Sequence, residues 1–245
     1  MIVLEAKGIQ QSYEGNKVIE DISITLEAGE IVCLIGTSGV GKTTLFHVLS
    51  GLTNPEKGQV LLNGKNITGI AGKISYMLQK DLLLPYRTIE DNISLPLRIQ
   101  GMKRKLARQQ VAPYFETFGL ENTEKKYPFQ LSGGMRQRAA LLRTYMFSQE
   151  VALLDEPFSA LDAITKRQMH HWYLDIMKKI QLSTLFISHD IDEALVLSNR
   201  IYIMSGKPGT IVAEIIVDKK EMDMDEFLMS ADFMELKRKI VEYLR

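Results

Sequence analysis

The chain has 245 residues, of which 45% are hydrophobic and 24% are charged, and these ordinary globular values exclude a disordered chain. Lys and Arg together number 30, as do Asp and Glu, so the formal net charge is zero. This balance argues against a protein that grips nucleic acid through bulk positive charge, although it leaves room for a small basic pocket.

The single cysteine, Cys33, excludes an internal disulfide and fits a reducing compartment. It lies in the apolar run 31–35, which predicts a buried, unreactive thiol. No apolar run approaches the roughly 18 residues that a membrane-spanning helix needs. The N-terminus also lacks the basic start and long apolar stretch of a secretory signal. We therefore expect a cytosolic chain.

Short apolar runs alternate with segments of helical spacing and predict an α/β sheet with crossover helices. The runs cover residues 29–35, 73–78, 151–154 and 183–188. Each is apolar on both faces, as are the strands of a parallel sheet that helices cover. In such sheets ligands bind beyond the carboxyl ends of the strands, so the residues that leave each strand are candidates for a site.

The first of these strands leads into a glycine-rich loop that matches the pattern Gly-x-x-x-x-Gly-Lys-Ser/Thr in full. The glycines let the backbone N–H groups point inward, and the helix start that follows adds a partial positive charge. In this pattern Lys42 reaches the β and γ phosphates of a nucleotide, and the Thr43 hydroxyl ligates Mg²⁺. The predicted nucleotide-binding residues are Gly36, Thr37, Ser38, Gly39, Val40, Gly41, Lys42, Thr43 and Thr44.

Gln79 leaves the second strand, and the chain from residue 82 to residue 147 then reads as mostly helical. A glutamine amide can ligate Mg²⁺ and orient water, although a lone Gln is more often structural. Pro113 interrupts the helical run 105–118. Because a proline is tolerated at a first helical position but not within a helix, we expect a kink or a helix restart there.

The sequence Leu-Ser-Gly-Gly-Met at 131–135 supplies a hydroxyl and two glycine N–H groups at a predicted helix start, which is an anion-binding arrangement. It has no clear task in the phosphate site of its own chain. Two anion-binding loops in one chain suggest a head-to-tail dimer. In that dimer Ser132, Gly133 and Gly134 of one copy would close the nucleotide site of the other.

The third strand ends in the acids Asp155 and Glu156, and His189 leaves the fourth. Behind a phosphate loop, Asp155 would hold Mg²⁺ through water and Glu156 would polarise the attacking water. The His189 imidazole could donate a hydrogen bond to the γ phosphate. We therefore predict that Glu156, His189 and Gln79 are catalytic. The predicted magnesium ligands are Thr43, Gln79 and Asp155.

The adjacent residues His170 and His171 could suggest a metal site, but neighbouring residues on a helix point about 100° apart and cannot share one. The surrounding residues favour core packing of this helix instead. Its apolar face consists of Met169, Trp172, Tyr173, Ile176 and Ile180.

Beyond residue 219 the chain reads as helical again. Asp232, with Glu235 three residues later, resembles a helix N-cap. We expect the helix to pack onto the domain, and a partner-binding helix is the alternative. Its apolar stripe consists of Phe233, Leu236, Ile240 and Leu244.

In order and spacing, these motifs resemble those of ABC transporter ATPase subunits over roughly residues 2–217, with Ser159-Ala160-Leu161-Asp162 as a further shared motif. The resemblance implies an α/β fold of the P-loop NTPase type. This fold has a RecA-like core, an antiparallel β part near the N-terminus and an inserted helical subdomain over about 82–147. An ABC ATPase domain would then cover 1–217, and 218–245 would form a C-terminal helical extension.

The resemblance also implies roles for residues outside the phosphate loop. Tyr13 would stack on adenine with Val18 beside it. Gln79 would connect ATP to membrane subunits, and Asp162 would communicate across the dimer.

Segments 85–93 and 205–211 are similar to those of the nitrate, sulfonate and taurine importer branch, which includes importers of thiamine-precursor-like pyrimidines. Val40, Thr44 and Ser188 depart from residues common in the family. None of the three changes removes a ligand.

The resemblance implies an ATPase that uses ATP and Mg²⁺ to drive the import of small solutes from the cytoplasmic face of the cell membrane. Its partners would be a second copy of the chain, two integral membrane permease subunits and, indirectly, an extracytoplasmic solute-binding protein, with no nucleic acid. Leu82-Leu83-Leu84 is the candidate docking surface for the membrane subunits, and buried core is the alternative.

Other functions compete with this one. A soluble ABC ATPase that acts on nucleic acid or ribosomes usually carries coiled coils, zinc modules or a second ATPase domain, and none is visible in this sequence. A P-loop kinase would leave residues 131–135 and the pair Gln79 and His189 without a function. An exporter subunit is an alternative within the family.

Overall fold

The computed structural model describes residues 1–220 and 222–244. The strands are β1 (Ile2–Tyr13), β2 (Asn16–Glu27), β3 (Ile31–Gly36), β4 (Lys57–Leu62), β5 (Lys65–Asn66), β6 (Ser75–Met77), β7 (Val151–Asp155), β8 (Ser183–Ser188), β9 (Arg200–Ser205) and β10 (Thr210–Ile216). The helices are α1 (Lys42–Leu49), α2 (Ile89–Ile93), α3 (Leu95–Ile99), α4 (Arg104–Val111), α5 (Tyr114–Thr117), α6 (Gly133–Phe147), α7 (Ala163–Ile180), α8 (Ile191–Leu197), α9 (Met224–Leu228) and α10 (Ala231–Leu244).

The larger sheet has the strand order β10-β9-β3-β8-β7-β6, with β10 antiparallel to its neighbour and the other strands parallel. Side chains along β3 alternate between two apolar clusters, so that Cys33 and Ile35 pack on one face and Val32 and Leu34 on the other. The prediction of a parallel sheet covered on both faces is therefore confirmed. Burial raises the pKa of the Cys33 thiol well above its usual range, which keeps the thiol unreactive.

The smaller sheet is antiparallel, with the order β2-β1-β4-β5, and it forms the N-terminal β part of the fold. Strand β2 packs against β8 and β10 of the larger sheet. Its buried residues Ile22 and Ile24 belong to the same apolar cluster as Val32 and Leu34. The two sheets therefore share one core, and the first residues of β2 lie beside the loop that follows β3.

Helices α2 to α6 lie between β6 and β7 in the chain, and α2, α3, α4 and α6 pack on one another. Helix α4 ends at Val111, and α5 begins at Tyr114 with Pro113 as its N-cap. The predicted interruption is therefore a helix restart, because a proline at a helix start loses no backbone hydrogen bond.

The last helix packs onto the domain through the buried residues Phe233 and Ile240, as predicted, against α8 and β9. The predicted N-cap at Asp232 is wrong. The helix starts earlier, and the Ser230 hydroxyl accepts a hydrogen bond from Phe233 N at 3.1 Å, while Asp232 pairs with Lys220 at 2.6 Å. Across residues 1–220 and 222–244, no helix is long and apolar enough to cross a membrane.

A buried ion cluster joins α2 to α4. The Asp91 carboxylate accepts from Arg104 Nε and Arg108 Nε, both at 3.1 Å, and from the Nη2 atoms of both residues. Burial by itself would raise the pKa of Asp91, but hydrogen bonds from the two guanidinium groups outweigh it and hold that pKa well below its usual range. The carboxylate therefore stabilises the folded helices while it is ionised.

We predict that Asp91→Asn lowers the free energy of unfolding at pH 7 by about 1–3 kcal/mol, because charge-assisted hydrogen bonds to two arginines are lost. The folded pKa lies below the unfolded value of about 3.9, so the ionised group contributes its stability above that value. The contribution disappears as the pH falls through the folded pKa, and the difference between variant and wild type should shrink below about pH 4. Urea denaturation at several pH values, monitored through Trp172 fluorescence, measures this difference in the free energy of unfolding.

The control is Glu116→Gln, which changes an exposed carboxylate on α5. An equal loss of stability in both variants, or a loss in Asp91→Asn that does not vary with pH, would contradict the prediction.

Candidate functional site

The larger sheet places the predicted site residues at one edge. The glycine-rich loop follows β3, Gln79 follows β6, Glu156 follows β7 and His189 follows β8. Since β6, β7, β8 and β3 are neighbouring parallel strands, their carboxyl ends meet along this edge. The site is therefore made of four loops on one rigid support.

The shape of the loop that follows β3 depends on Gly41, which has a φ of 106°. A Cβ atom there would lie 2.4 Å from Ile19 Cγ2, so a side chain would both strain the backbone and clash with β2. Gly41 is also the N-cap of α1, which turns the free N–H groups of that helix toward the loop. The loop and helix together form the anion-binding arrangement that the sequence predicts.

The Lys42 ammonium lies inside this loop. The residue is only 8% exposed, and its Nζ donates to Gly36 O at 2.8 Å and to Thr37 O at 3.1 Å. Burial lowers the pKa of Lys42, and the carboxylates of Glu156 and Asp155 oppose that shift. The positive charge is thus held where phosphate oxygens would lie beside the loop.

The Asp155 carboxylate links β7 to two other elements. Its Oδ2 accepts from Thr43 Oγ1 at 3.4 Å and from the Tyr76 hydroxyl at 3.2 Å. Burial raises the pKa of Asp155, and both hydrogen bonds work against that rise. Burial and the Asp155 charge also raise the pKa of Tyr76, so its hydroxyl remains a donor. No sequence pattern pointed to Tyr76, which lies within an apolar run.

The donors beside the loop fit Mg²⁺ bound together with a nucleotide. Thr43 and Asp155 offer a hydroxyl and a carboxylate, the hard oxygen ligands that Mg²⁺ prefers. Among residues 1–220 and 222–244, no group of three or more His, Cys, Asp or Glu side chains is arranged to hold a metal. Mg²⁺ is typically held by one or two carboxylates, waters and substrate phosphates, and this donor set matches that pattern.

Glu156 brings the three predicted catalytic residues together. Its Oε2 accepts from Gln79 Nε2 at 3.0 Å and lies 3.2 Å from His189 Nδ1. Glu156 has a φ of 46°, a left-handed conformation that costs a non-glycine residue about 1–2 kcal/mol. The turn after β7 therefore aims the Glu156 carboxylate away from the strand and into the site. Strained backbone conformations of this kind are common at functional sites.

Two adjoining clefts share Glu156 and His189. The phosphate-loop cleft has a volume of about 370 Å³. Its lining residues are Val18, Ser38, Gly39, Gly41, Lys42, Thr43, Thr44, Glu156, Ile187 and His189. The second cleft, of about 700 Å³, extends from Glu156 and His189 past Gln79 to Gly133 at the start of α6.

Several of the predicted site residues do not line either cleft of the described chain. Tyr13 is exposed at the end of β1, and Ser132 caps α6 by accepting from Met135 N at 3.3 Å. Asp162 caps α7 by accepting from the backbone N–H groups of the first turn, at 3.0 and 3.2 Å. Gly134 is buried on α6. The roles predicted for these residues in a second nucleotide site stay predictions.

The two adjacent histidines on α7 have separate partners. His170 is buried, and its Nε2 lies 3.2 Å from Glu193 Oε2, whereas His171 Nε2 lies 3.5 Å from Asp225 Oδ1. The ring of His170 also packs edge-on against Phe158 at 5.2 Å. These contacts tie α7 to α8 and α9.

Sequence comparisons place these features among known proteins. The family described as ABC transporter matches residues 19–159. The formylaminopyrimidine import ATP-binding protein ThiZ of Halalkalibacterium halodurans is 47% identical over 191 residues, which cover 78% of this chain and 74% of that protein. The nitrate import ATP-binding protein NrtD of Synechocystis is 36% identical and covers 88% and 82%. The aliphatic sulfonates import ATP-binding protein SsuB of Bacillus cereus is 38% identical and covers 92% and 88%.

Solved structures share the fold. CbiO1 from Clostridium perfringens, part of an ABC transporter complex, superposes with a TM-score of 0.80 at 20% identity, over 98% of this chain and 92% of that one. The ATP-binding cassette MJ0796, solved as a dimer bound to ADP and phosphate, superposes with a TM-score of 0.73 at 24% identity, over 88% and 99%. The P-loop NTPase fold predicted from the sequence is thereby confirmed.

We predict that Lys42→Ala weakens nucleotide binding by about ten- to a hundredfold, because a charge-assisted contact to phosphate is lost. Isothermal titration calorimetry with ATP measures the affinity. The control is Lys57→Ala, which removes an exposed lysine at the start of β4. Wild-type affinity in Lys42→Ala would contradict the assignment of this loop.

Proposed function

The chain belongs to the ABC transporter family as an ATP-hydrolysing subunit of the importer branch, and we propose that two copies of it close around two ATP molecules to drive a pair of membrane permease subunits. The observation that carries this proposal is that Glu156 and His189 line both the phosphate-loop cleft and the cleft that reaches the start of α6. The catalytic residues thus stand between two anion-binding elements.

A second copy would complete the nucleotide site. Within the described residues, the phosphate-loop cleft contains none of Ser132, Gly133 and Gly134. The Ser132 hydroxyl lies at the N-terminus of a 15-residue helix, where N–H groups and the helix dipole favour an anion. In a head-to-tail dimer these groups bind the γ phosphate held by the other copy. ATP binding then closes the dimer, and hydrolysis reopens it.

The residues at the sheet edge divide the chemistry between them. Lys42 donates to the β and γ phosphates, and Glu156 accepts a proton from the attacking water. His189, oriented by its contact with Glu156, donates to the γ phosphate as charge develops there. Thr43 and Asp155 would hold Mg²⁺, which would supply positive charge against the phosphates. Gln79, bonded to Glu156, carries the state of the nucleotide to the segment that follows it.

The docking site for the membrane subunits is an apolar groove of about 460 Å³ beside that segment. We call it the docking groove, and its lining residues are Ser50, Leu52, Gly72, Ile74, Tyr76, Leu82, Leu95, Pro96, Ile99, Arg143, Thr144 and Phe147. Leu52 is 62% exposed and Ile99 is 74% exposed, so the groove presents apolar side chains to solvent. An apolar loop or short helix of a permease subunit fits this groove.

From its sequence, the Leu82-Leu83-Leu84 segment is either a docking surface or buried core, and the burial of its side chains supports one part of each alternative. Leu83 is buried, whereas Leu82 and Leu84 are exposed, and Leu82 lines the docking groove. The segment therefore anchors one side chain in the core and offers another to a partner. Tyr76 lines the groove as well and bonds to Asp155, so the groove adjoins the nucleotide site through a single side chain.

We infer that the chain works at the cytoplasmic face of the membrane, as a peripheral subunit of an importer of small solutes. A solute-binding protein outside the membrane would deliver the solute without touching this chain. The identity with ThiZ supports a pyrimidine thiamine precursor as the first solute to test, ahead of nitrate and sulfonates. Measuring the uptake of each of these solutes by cells that lack the gene tests this assignment.

We predict that Glu156→Gln lowers ATP hydrolysis about a hundredfold or more, because the general base is lost. ATP should still bind, so the closed dimer accumulates and elutes earlier than the monomer in size-exclusion chromatography with ATP. Glu235→Gln, an exposed change on α10, is the control and should hydrolyse ATP at the wild-type rate. Undiminished hydrolysis in Glu156→Gln would remove Glu156 from the mechanism.

We predict that Ile99→Glu abolishes copurification with the permease subunits from membranes, because a carboxylate in the docking groove must be desolvated by an apolar partner. ATP binding by the isolated chain should not change. The matched control is Leu106→Glu on α4, where the leucine is 54% exposed but does not line the groove. Equal copurification of both variants would argue against this groove as the docking site.

A further inference from the structure

The segment 81–87, which follows Gln79, is held by an arginine of α6. Arg143 Nη1 donates to Leu82 O at 2.7 Å, and its Nη2 donates to Asp81 O at 2.5 Å. One guanidinium thus binds two consecutive carbonyl groups, one through each terminal nitrogen, and the planar fork of arginine suits this geometry. Burial lowers the pKa of Arg143, with the Asp81 charge opposing it, but an arginine stays charged in a protein.

The peptide bound by Arg143 is strained. Leu82 has a φ of 45°, a left-handed conformation that a leucine rarely adopts without support. Its side chain is 50% exposed and lines the docking groove, so apolar burial of this side chain does not enforce the conformation. The two hydrogen bonds from Arg143 fall on the carbonyl of Leu82 and on the carbonyl before it. The arginine is therefore placed to hold the strained turn.

A second contact from the same face of α6 reaches the same turn. Arg136 lies two helical turns before Arg143, and its Nε donates to Asp81 Oδ2 at 3.3 Å. The other carboxylate oxygen of Asp81 accepts from Leu83 N at 3.1 Å. Arg136 also donates to Leu131 O at 2.9 Å, immediately before the Ser-Gly-Gly motif. The helix that carries this motif is thus joined to segment 81–87 at two points.

The far end of the segment is held from α2. The Asn92 side chain is fully buried, accepts from Leu84 N at 2.6 Å and donates to the carbonyls of Leu84, Arg87 and Thr88 at 3.0 to 3.2 Å. Segment 81–87 is therefore held at both ends, by Asn92 of α2 at one end and by Arg136 and Arg143 of α6 at the other. Of the two α6 arginines, Arg143 is the one that bonds to the backbone of the segment.

We propose that Arg143 is a positioning residue that makes segment 81–87 move with α6, so that the docking groove follows the helix whose N-terminus binds nucleotide across the dimer. This inference rests on the proposed function, because it takes the groove as the docking site and α6 as the element that responds to nucleotide. Arg143 touches no reacting atom, and its effect passes through the backbone of Asp81 and Leu82.

The test is hydrogen–deuterium exchange of the full chain, with and without a non-hydrolysable ATP analogue. In Arg143→Met the amides of segment 81–87 should exchange about ten- to a hundredfold faster than in the wild type, because charge-assisted hydrogen bonds that order the turn are lost. In the wild type the analogue should change exchange in both this segment and the first turn of α6. In Arg143→Met it should change exchange in the α6 turn alone.

The matched control is Arg138→Met. Arg138 is also on α6, burial likewise lowers its pKa, and its guanidinium lies 4.9 Å from the centre of the Trp172 ring, on contacts away from segment 81–87. Unchanged exchange of segment 81–87 in Arg143→Met, or an equal change in Arg138→Met, would overturn the proposal. If Arg143→Met does not fold, Arg143→Lys replaces it, and this variant should give a smaller increase because an ammonium keeps the positive charge and hydrogen-bond donors but lacks the planar fork.

The outcome separates this inference from the proposed function. If the analogue leaves the first turn of α6 unchanged in the wild type, the nucleotide-driven dimer fails, and with it the coupled motion proposed for Arg143. If the α6 turn responds in the wild type but segment 81–87 does not, the dimer stands and Arg143 is not the link.

Discussion

The nucleotide site depends on close backbone contacts that leave no room for side chains. A Cβ atom on Gly36 would lie 2.4 Å from Met204 O, and one on Gly209 would lie 2.0 Å from Val40 O. Gly209 N also donates to Val18 O at 2.9 Å, which ties the turn between β9 and β10 to β2. The phosphate loop therefore packs closely against strand β9 and the turn that follows β9, which lie far from the loop in the chain. These contacts fix the loop, and the loop places both Lys42 and the start of α1.

Local sequence patterns predicted the strands and loops that carry the site, but they did not predict contacts between residues that are far apart in the chain. The apolar runs located four strands, and the residue leaving each strand proved to lie at one edge of the sheet. Tyr76 could not be found this way, because its partner Asp155 is 79 residues away. In the sequence, Gly209 was noted only as part of a segment similar to the importer branch. Its close contact with Val40 explains why a glycine is needed there. The error at Asp232 arose because Ser230, an equally good cap, lies two residues earlier.

The balanced positive and negative charges of the chain form ion pairs in the interior as well as at the surface. Lys166 of α7 pairs with Asp190 at 2.7 Å and with Glu193 at 2.9 Å. Burial would raise the pKa of Asp190, but the hydrogen bond from Lys166 and those from backbone N–H groups lower it, so the carboxylate stays ionised and caps α8. Asp190 directly follows His189. The ion pair therefore fixes the backbone beside a catalytic candidate whose own ring is exposed.

Helix α6 connects the parts of the molecule that a transport cycle must link. Its 15 residues span about 22 Å, with Ser132 at one end and Phe147, which lines the docking groove, at the other. The groove lining also includes Tyr76, which belongs to the larger sheet and bonds to Asp155. The lining is thus shared between the helix whose start would meet the second copy and the sheet whose edge carries the candidate nucleotide site. A rotation of α6 relative to the sheet would move these two parts of the lining relative to each other, so that binding at the sheet edge would be felt by a partner docked in the groove.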